Sequence, residues 1–277
     1  MNVNDAPLLA GVRHAQVLRW RDARCSEAMD ELADEVPVAL EFNGISHAVM
    51  LATPADLEDF ALGFALSEGI LDHPDELRDC ETSVSAEGLT VRLEVSSRSF
   101  ARLKVRRRSL AGRTGCGICG TESLAQVLRD APAVQGTALR IHAAAIGRAM
   151  DGMRARQALG QATGATHAAA WCSVRGDVFL VREDVGRHNA LDKLIGAMAR
   201  AGVDAREGFI AVTSRASVEM VQKAATAGAP LLAAVSAPTL LALETAQRSG
   251  MSLVGLVRMG NLVAYAHPQR LIFDPEN

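Results

Sequence analysis

The chain has 277 residues and a formal net charge of −3, with 49% hydrophobic and 22% charged residues. That length carries a full hydrophobic core and exceeds the common size of one domain, so one large or two coupled domains are expected. The composition excludes a disordered or nucleic-acid-coating chain, and aromatics at 4% supply few stacking platforms, so any basic site is local and no nucleic acid is expected.

The opening MNVNDAPLLAGVRHAQ has no basic segment followed by a long apolar run, so no secretory signal is expected. Five cysteines, Cys25, Cys80, Cys116, Cys119 and Cys172, form no even, closely spaced framework. A reducing cytoplasm is the expected setting. VPVALEF (Val36 to Phe42) and ISHAVMLA (Ile45 to Ala52) read as strands joined by Asn43-Gly44, a strong hairpin signal. Thr53-Pro54-Ala55-Asp56 reads as a helix start with a cap, a proline at the first helical position and an acid in the first turn. Leu57, Phe60, Ala61 and Phe64 recur at helical spacing as a core stripe, with Gly69 as the stop. CETSVS and LTVRLEVS, turning at Glu87-Gly88, add two strands to a β-rich first part.

The second part changes period. A helix is expected around Ala144 to Leu159, then a hairpin of THAAAWCSV and VFLVREDV about Arg175-Gly176-Asp177. GFIAVTS, PLLAAVS and MSLVGLV are short apolar runs of the kind buried in a sheet, alternating with helices at Asn189 to Ala201, Ala216 to Ala227 and Thr239 to Ser249. Such alternation predicts a layered α/β domain with a partly parallel sheet. Ala224 to Leu243 carries no charge, but Gly228, Pro230, Ser236 and Pro238 cut it into helix end, strand and helix start, so no membrane span is expected. The division expected is 1–125, β-rich and ending in a thiol-bearing loop, and 126–277, the layered domain.

That loop reads RTGCGICGTE, with Cys116 and Cys119 three apart among three glycines. The spacing suits a zinc half-site, a redox disulfide or a nucleophilic thiol with a resolving neighbour. Zinc needs two further ligands, usually a second close pair, and the other cysteines and the seven histidines stand alone, so no metal is expected. A thioredoxin-like motif opens a helix, whereas glycines flank this pair. Just upstream, Arg102, Lys104, Arg106, Arg107, Arg108 and Arg113 form a basic run. Such runs are commonly solvated faces, yet cations beside a thiol favour the thiolate and attract anions.

Two strand-to-helix junctions are suited to anions. REDVGRHNALDK places Arg187, His188 and Asn189 at a helix start, and TSRASVEMVQK places Ser214, Arg215 and Ser217 at another. Either alone reads equally as a capped turn. Together, at corresponding edges of one sheet, they suggest a cleft beyond the strand ends. His142 and His167 suit core positions, and Trp171 and Phe179 suit packing. No P-loop, G-x-G-x-x-G, G-x-S-x-G or H-E-x-x-H is present.

Several stretches resemble one family, the FdhD-type sulfurtransferases that serve formate dehydrogenase: EVPVALEFNGISHAVMLATPADLEDFALGFALSEGI, LAGRTGCGICG, THAAAW, EDVGRHNALDKL, SRASVEMVQK, AVSAPTLLALE and YAHPQRL, spanning Glu35 to Leu271. The resemblance implies a cytidine-deaminase-like fold, a homodimer, and transfer of persulfide sulfur from a cysteine desulfurase to the molybdenum bis(molybdopterin guanine dinucleotide) cofactor. It implies that Cys116 carries the persulfide and Cys119 assists transfer or resolution. It also implies that LVRMGN, Leu256, Val257, Arg258, Met259, Gly260 and Asn261, meets the nucleotide together with Arg187, His188, Ser214 and Arg215. Deamination is not implied, because no H-x-E or C-x-E element is paired with a later P-C-x-x-C. Two other classes fit the residues: a cofactor-delivering chaperone without sulfur transfer, and a thiol-disulfide oxidoreductase.

Overall fold

The structure, a computed structural model, describes residues 9–110, 131–134 and 139–273, without the side chains of 105–110. Strands β1 (Val12–Arg21) and β2 (Arg24–Ala33) form a two-stranded antiparallel hairpin. Then β3 (Val36–Phe42) and β4 (Ile45–Ala52) pair as the Asn43-Gly44 signal requires, both turn residues having positive φ, 45° and 74°. With β5 (Leu77–Ser85) and β6 (Gly88–Val95) they make a sheet ordered β4-β3-β6-β5, in which β3 and β6 run parallel.

Helix α1 spans Leu57–Ser67, three residues short of the start that Thr53-Pro54 suggested at its N-terminus. Thr53 is engaged elsewhere: its N–H donates to Asp184 Oδ2 at 3.0 Å and its hydroxyl accepts from the Val185 N–H at 3.2 Å. Asp56 takes the cap position instead. The helix stops as predicted, with Gly69 left-handed at φ 65° and the N–H groups of Gly69 and Ile70 closing on the carbonyls of Leu66 and Ala65. The basic run falls largely in a helix that sequence reasoning did not assign, α2 (Ser97–Leu110).

The second part contains β7 (Ile141–His142), α3 (Ala143–Ala155), α4 (Ala158–Thr163), β8 (His167–Ser173), β9 (Val178–Asp184), α5 (Arg187–Arg200) and β10 (Gly208–Val212). It continues through α6 (Val218–Thr226), β11 (Leu231–Ala234), α7 (Leu240–Ser249), β12 (Ser252–Arg258), β13 (Asn261–Ala266) and β14 (Leu271–Ile272). The helix expected over 144–159 is broken between α3 and α4. There the Glu183 carboxylate draws the N–H groups of Leu159 and Gly160 to 2.9 and 2.7 Å, starting a new helix, while Arg156 turns to the carbonyls of Val178 and Phe179.

Six strands form one sheet in the order β13-β12-β11-β10-β8-β9, with β10, β11 and β12 parallel and the flanking strands antiparallel. Side chains alternate along its centre. Ile210 and Val212 enter one core with Leu191, Leu194, Met220 and Val221 from α5 and α6, whereas Phe209 and Ala211 enter another with Ile146, Met150 and Met153 from α3. A third core, Val38, Leu40, Phe42, Phe60, Phe64, Val91 and Leu93 among its members, joins the N-terminal sheet to α1. Helices α1 and α5 meet backbone to backbone: a Cβ on Gly63 would overlap the carbonyl of Asp192, and one on Gly196 that of Asp59. Among the described residues no helix is long and apolar enough to cross a membrane.

Candidate functional site

The segment EDVGRHNALDK divides into an inward and an outward set. Inward, Asp184 and Lys193 form an ion pair at 2.7 Å with both side chains fully buried. Such a pair is tolerable only with its remaining hydrogen-bonding capacity filled. Asp184 accepts from the N–H groups of Thr53 and Gly186 and from Asn189 Nδ2, and Lys193 also donates to the Thr53 carbonyl at 3.0 Å. Beside Lys193 in the chain, Asp192 accepts from Lys223 Nζ at 2.9 Å and from Ser67 Oγ at 2.6 Å, and Lys223 also reaches Glu68. Most of this buried polar chemistry therefore clamps α1 and its entry loop to α5 and α6, a role that polar residues in a sequence do not advertise. Its consequence is the fixed position of Gly186, which aims the next two residues outward.

Outward stand Arg187 and His188. Because β8 is antiparallel to both β9 and β10, its first residue, His167, lies at the sheet edge where β9 and β10 end. The same edge carries Thr213–Ser217 after β10, Val235–Thr239 after β11 and the β12–β13 turn. Backbone bonds tie these loops together, Thr239 N–H to the Ala216 carbonyl at 3.1 Å and Leu256 N–H to that of Ser236 at 3.3 Å. Both predicted junctions and the turn thus share one edge, with β12 and β9 four strand spacings apart, roughly 19 Å.

At its centre His188 Nε2 meets Glu219 Oε2 at 2.9 Å, and Ser217 Oγ donates to that same oxygen at 3.2 Å. His188's hydrogen bond holds the Glu219 carboxyl down to about 2, with the Arg187 charge adding to it. Burial lowers the His167 imidazole below its ordinary value, and the neighbouring Arg187 and His188 push the same way. Arg187 buries its Nε without a partner, and neither the Arg187 nor the Arg215 guanidinium makes a hydrogen bond among the described residues. Two unpartnered guanidiniums at one edge are a receptor for an anion. Ser214 contributes less, since its hydroxyl is buried and turned to the Arg215 carbonyl at 3.0 Å.

The turn is divided too. Val257 is buried in the core beside α3, so only its backbone faces the edge, whereas Leu256, Arg258, Met259, Gly260 and Asn261 are exposed. Arg258 is tethered through Nε to the Val235 carbonyl at 3.1 Å. Met259 and Gly260 both take positive φ, 48° and 77°, so the glycine serves the turn itself, with open space around it. Sequence reasoning missed Glu219 and Thr213 and gave His167 no role. Only the strand pairing brings these three beside Arg187 and His188.

Cys116 and Cys119 lie outside the described residues, as does Arg113. Two members of the basic run are occupied: Arg102 pairs with Asp72 and Glu76, and Lys104 lies 4.2 Å from the Phe100 ring centroid. The chain re-enters at Ala131–Val134, where the Val134 N–H donates to the Ser249 carbonyl at the far end of α7. Among the described residues no group of three or more metal-ligating side chains converges.

Fold and edge define a mixed α/β protein whose principal sheet presents a cationic loop cluster at one end. The chain belongs to the FdhD/NarQ family, whose sequence model matches residues 33–272. It is 59% identical over its whole length to the whole of "Sulfur carrier protein FdhD" from Variovorax paradoxus. It is also 59% identical, over 92% of this chain and 88% of the relative, to the protein of that name from Cupriavidus necator. The crystal structure of a candidate formate dehydrogenase accessory protein from Desulfotalea psychrophila superposes with a TM-score of 0.74 at 24% identity, over 94% of this chain and 99% of that one, a likeness of fold.

Proposed function

We propose that this protein is a sulfur carrier that accepts sulfur from a cysteine desulfurase on Cys116 and delivers it to the molybdenum bis(molybdopterin guanine dinucleotide) cofactor of formate dehydrogenase. The observation that carries the reading is whole-length identity of 59% to a protein named as a sulfur carrier, in a chain that also holds Cys116-Gly-Ile-Cys119. In the first step the Cys116 thiolate attacks the terminal sulfur of the desulfurase persulfide. The desulfurase S–S bond breaks, its thiolate leaves, and no oxidant is needed. In the second, Cys119 thiolate attacks the inner sulfur of the Cys116 persulfide and releases hydrosulfide to the cofactor, leaving a disulfide for a cellular dithiol to reduce.

The cofactor is polyanionic, and the edge formed by Arg187, His188, Arg215 and the Leu256–Asn261 turn supports its binding, the guanidiniums meeting phosphate. The reading includes a cytidine-deaminase-like second domain, a cytoplasmic setting and a homodimer. A division into 1–125 and 126–277 is supported by hydrophobic clusters whose buried members fall within 38–103 in one part and 134–271 in the other, with Leu66 and Ala199 packing across. The test is Cys116→Ala, which should abolish activation of formate dehydrogenase while melting as the parent does. Normal activation by that variant would discard sulfur transfer in favour of a delivering chaperone.

A further inference from the structure

We infer that the β1–β2 hairpin is the arm by which this protein docks on the formate dehydrogenase that takes its cofactor, an inference that rests on the cofactor reading above. The hairpin is rooted beside the loop edge. Its base closes where the Asp34 N–H donates to the Gly11 carbonyl at 2.7 Å, and a Cβ on Gly11 would touch Leu159 of α4 at 3.5 Å. The first N–H groups of α4 are held by Glu183, beside Asp184, whose carboxylate fixes Gly186 and so the Arg187 end of the edge. From that base the paired strands extend roughly 30 Å. Among their residues Val12 alone is buried, and one whole face, from His14 and Glu31 out to Trp20 and Cys25, is exposed. An isolated two-stranded hairpin is marginal in water, so a surface that covers this face would stabilise it.

The charges of the hairpin pair across its strands until the tip. Arg13 meets Asp34 at 2.9 Å, Gln16 meets Glu27 at 3.2 Å and Arg19 meets Asp30 at 3.2 Å. The last rung is Arg21 opposite Arg24, both exposed, and neither makes a hydrogen bond or ion pair among the described residues. Like charges directly opposite weaken a hairpin, a cost that carboxylates of a partner would reverse. On the other face Leu18, Trp20 and Met29 are 73%, 71% and 62% exposed. Trp and Arg are the side chains that most often dominate protein interfaces. Because the apolar and cationic sets point to opposite faces, a flat anionic membrane meets one and leaves the other, whereas a protein cleft with an apolar wall and facing carboxylates meets both. Of the two proteins in the transfer, the one that receives the cofactor must reach the edge where it is bound, and the hairpin is rooted there.

Biolayer interferometry of the full chain against formate dehydrogenase purified without its cofactor tests this, beside Trp20→Ser and Arg21→Glu/Arg24→Glu, with thermal melting to check that each variant folds. Trp20→Ser should weaken binding roughly 30-fold or more, the loss of an aromatic anchor. The double reversal should weaken it about 10-fold or more at low salt and flatten its salt dependence. Alkylation of Cys25, opposite Trp20, should slow in the complex, and both variants should still gain sulfur on Cys116 from a cysteine desulfurase. Variants that bind the enzyme as the parent does, Cys25 labelled equally fast in the complex, or a parent that does not bind would each overturn the docking role. So would variants whose defect lies instead in sulfur uptake, in self-association by light scattering or in binding to anionic vesicles, which assign the arm to the desulfurase, to a second copy or to a membrane. A parent that docks and yet gains no sulfur leaves the arm standing and overturns the carrier reading.

Discussion

Lys193→Met is the perturbation whose size the structure defines best. Lys193 and Asp184 are both fully buried, 2.7 Å apart, at the junction of the N-terminal part with α5. Methionine keeps most of the apolar stem, so little cavity forms and the effect isolates the ammonium. Removing one partner of such a pair costs ~3–5 kcal/mol because the other charge is left behind. The lower end applies here, since Asp184 keeps the N–H groups of Thr53 and Gly186 and the amide of Asn189, while the Thr53 carbonyl loses its donor. A loss of about 3 kcal/mol is a large share of the ~5–15 kcal/mol that holds a folded protein together. Melting should fall by roughly 6–12 °C. Urea unfolding at constant m reads the loss directly, and Asp184→Asn/Lys193→Met should lose less than the two single variants summed. A single-variant loss under about 1 kcal/mol would refute the argument that this pair clamps the two parts.

Other outcomes follow from the same geometry. Burial raises the Cys172 thiol to about 12 and, with Glu58 nearby, the Cys80 thiol to about 11, so iodoacetamide near neutral pH should spare both in native protein while labelling exposed Cys25. Peptide mapping checks this, and rapid modification of Cys172 before unfolding would contradict the packing described. The folded-state pKa of His167 lies below its ordinary 6.5, so the unfolded chain takes up the proton first. Its contribution is intact above 6.5 and is lost progressively as pH falls from there through the lower folded-state value. Melting temperatures between neutral and mildly acidic pH should decline less steeply in His167→Gln, and an unchanged slope would dismiss His167 as the cause.

How much of this the sequence disclosed depended on how local the signal was. Asn43-Gly44 places both turn residues in the left-handed region by their own chemistry, so β3 and β4 were legible, and the buried strands β10 to β12 announced themselves as apolar runs between turn residues. The β1–β2 hairpin was not, because it turns at Asp22-Ala23 with φ of 52° and 57° and no glycine. Its strands are also largely polar and exposed. The start of α1 was misplaced because Thr53 is held by Asp184, 131 residues away. Arg187, His188, Ser214 and Arg215 could be singled out by their strand-to-helix junctions. Glu219 could not, because its meaning lies in His188 reaching it across the edge, a contact made by strand order alone.

The central claim is that sulfur rides on Cys116. The protein would be incubated with a cysteine desulfurase and cysteine, and intact and peptide masses taken without reductant beside Cys116→Ala and Cys119→Ala. The account predicts one added sulfur, about 32 Da, on the Cys116 peptide, absent in Cys116→Ala. A Cys116–Cys119 disulfide with no sulfur gained would contradict it.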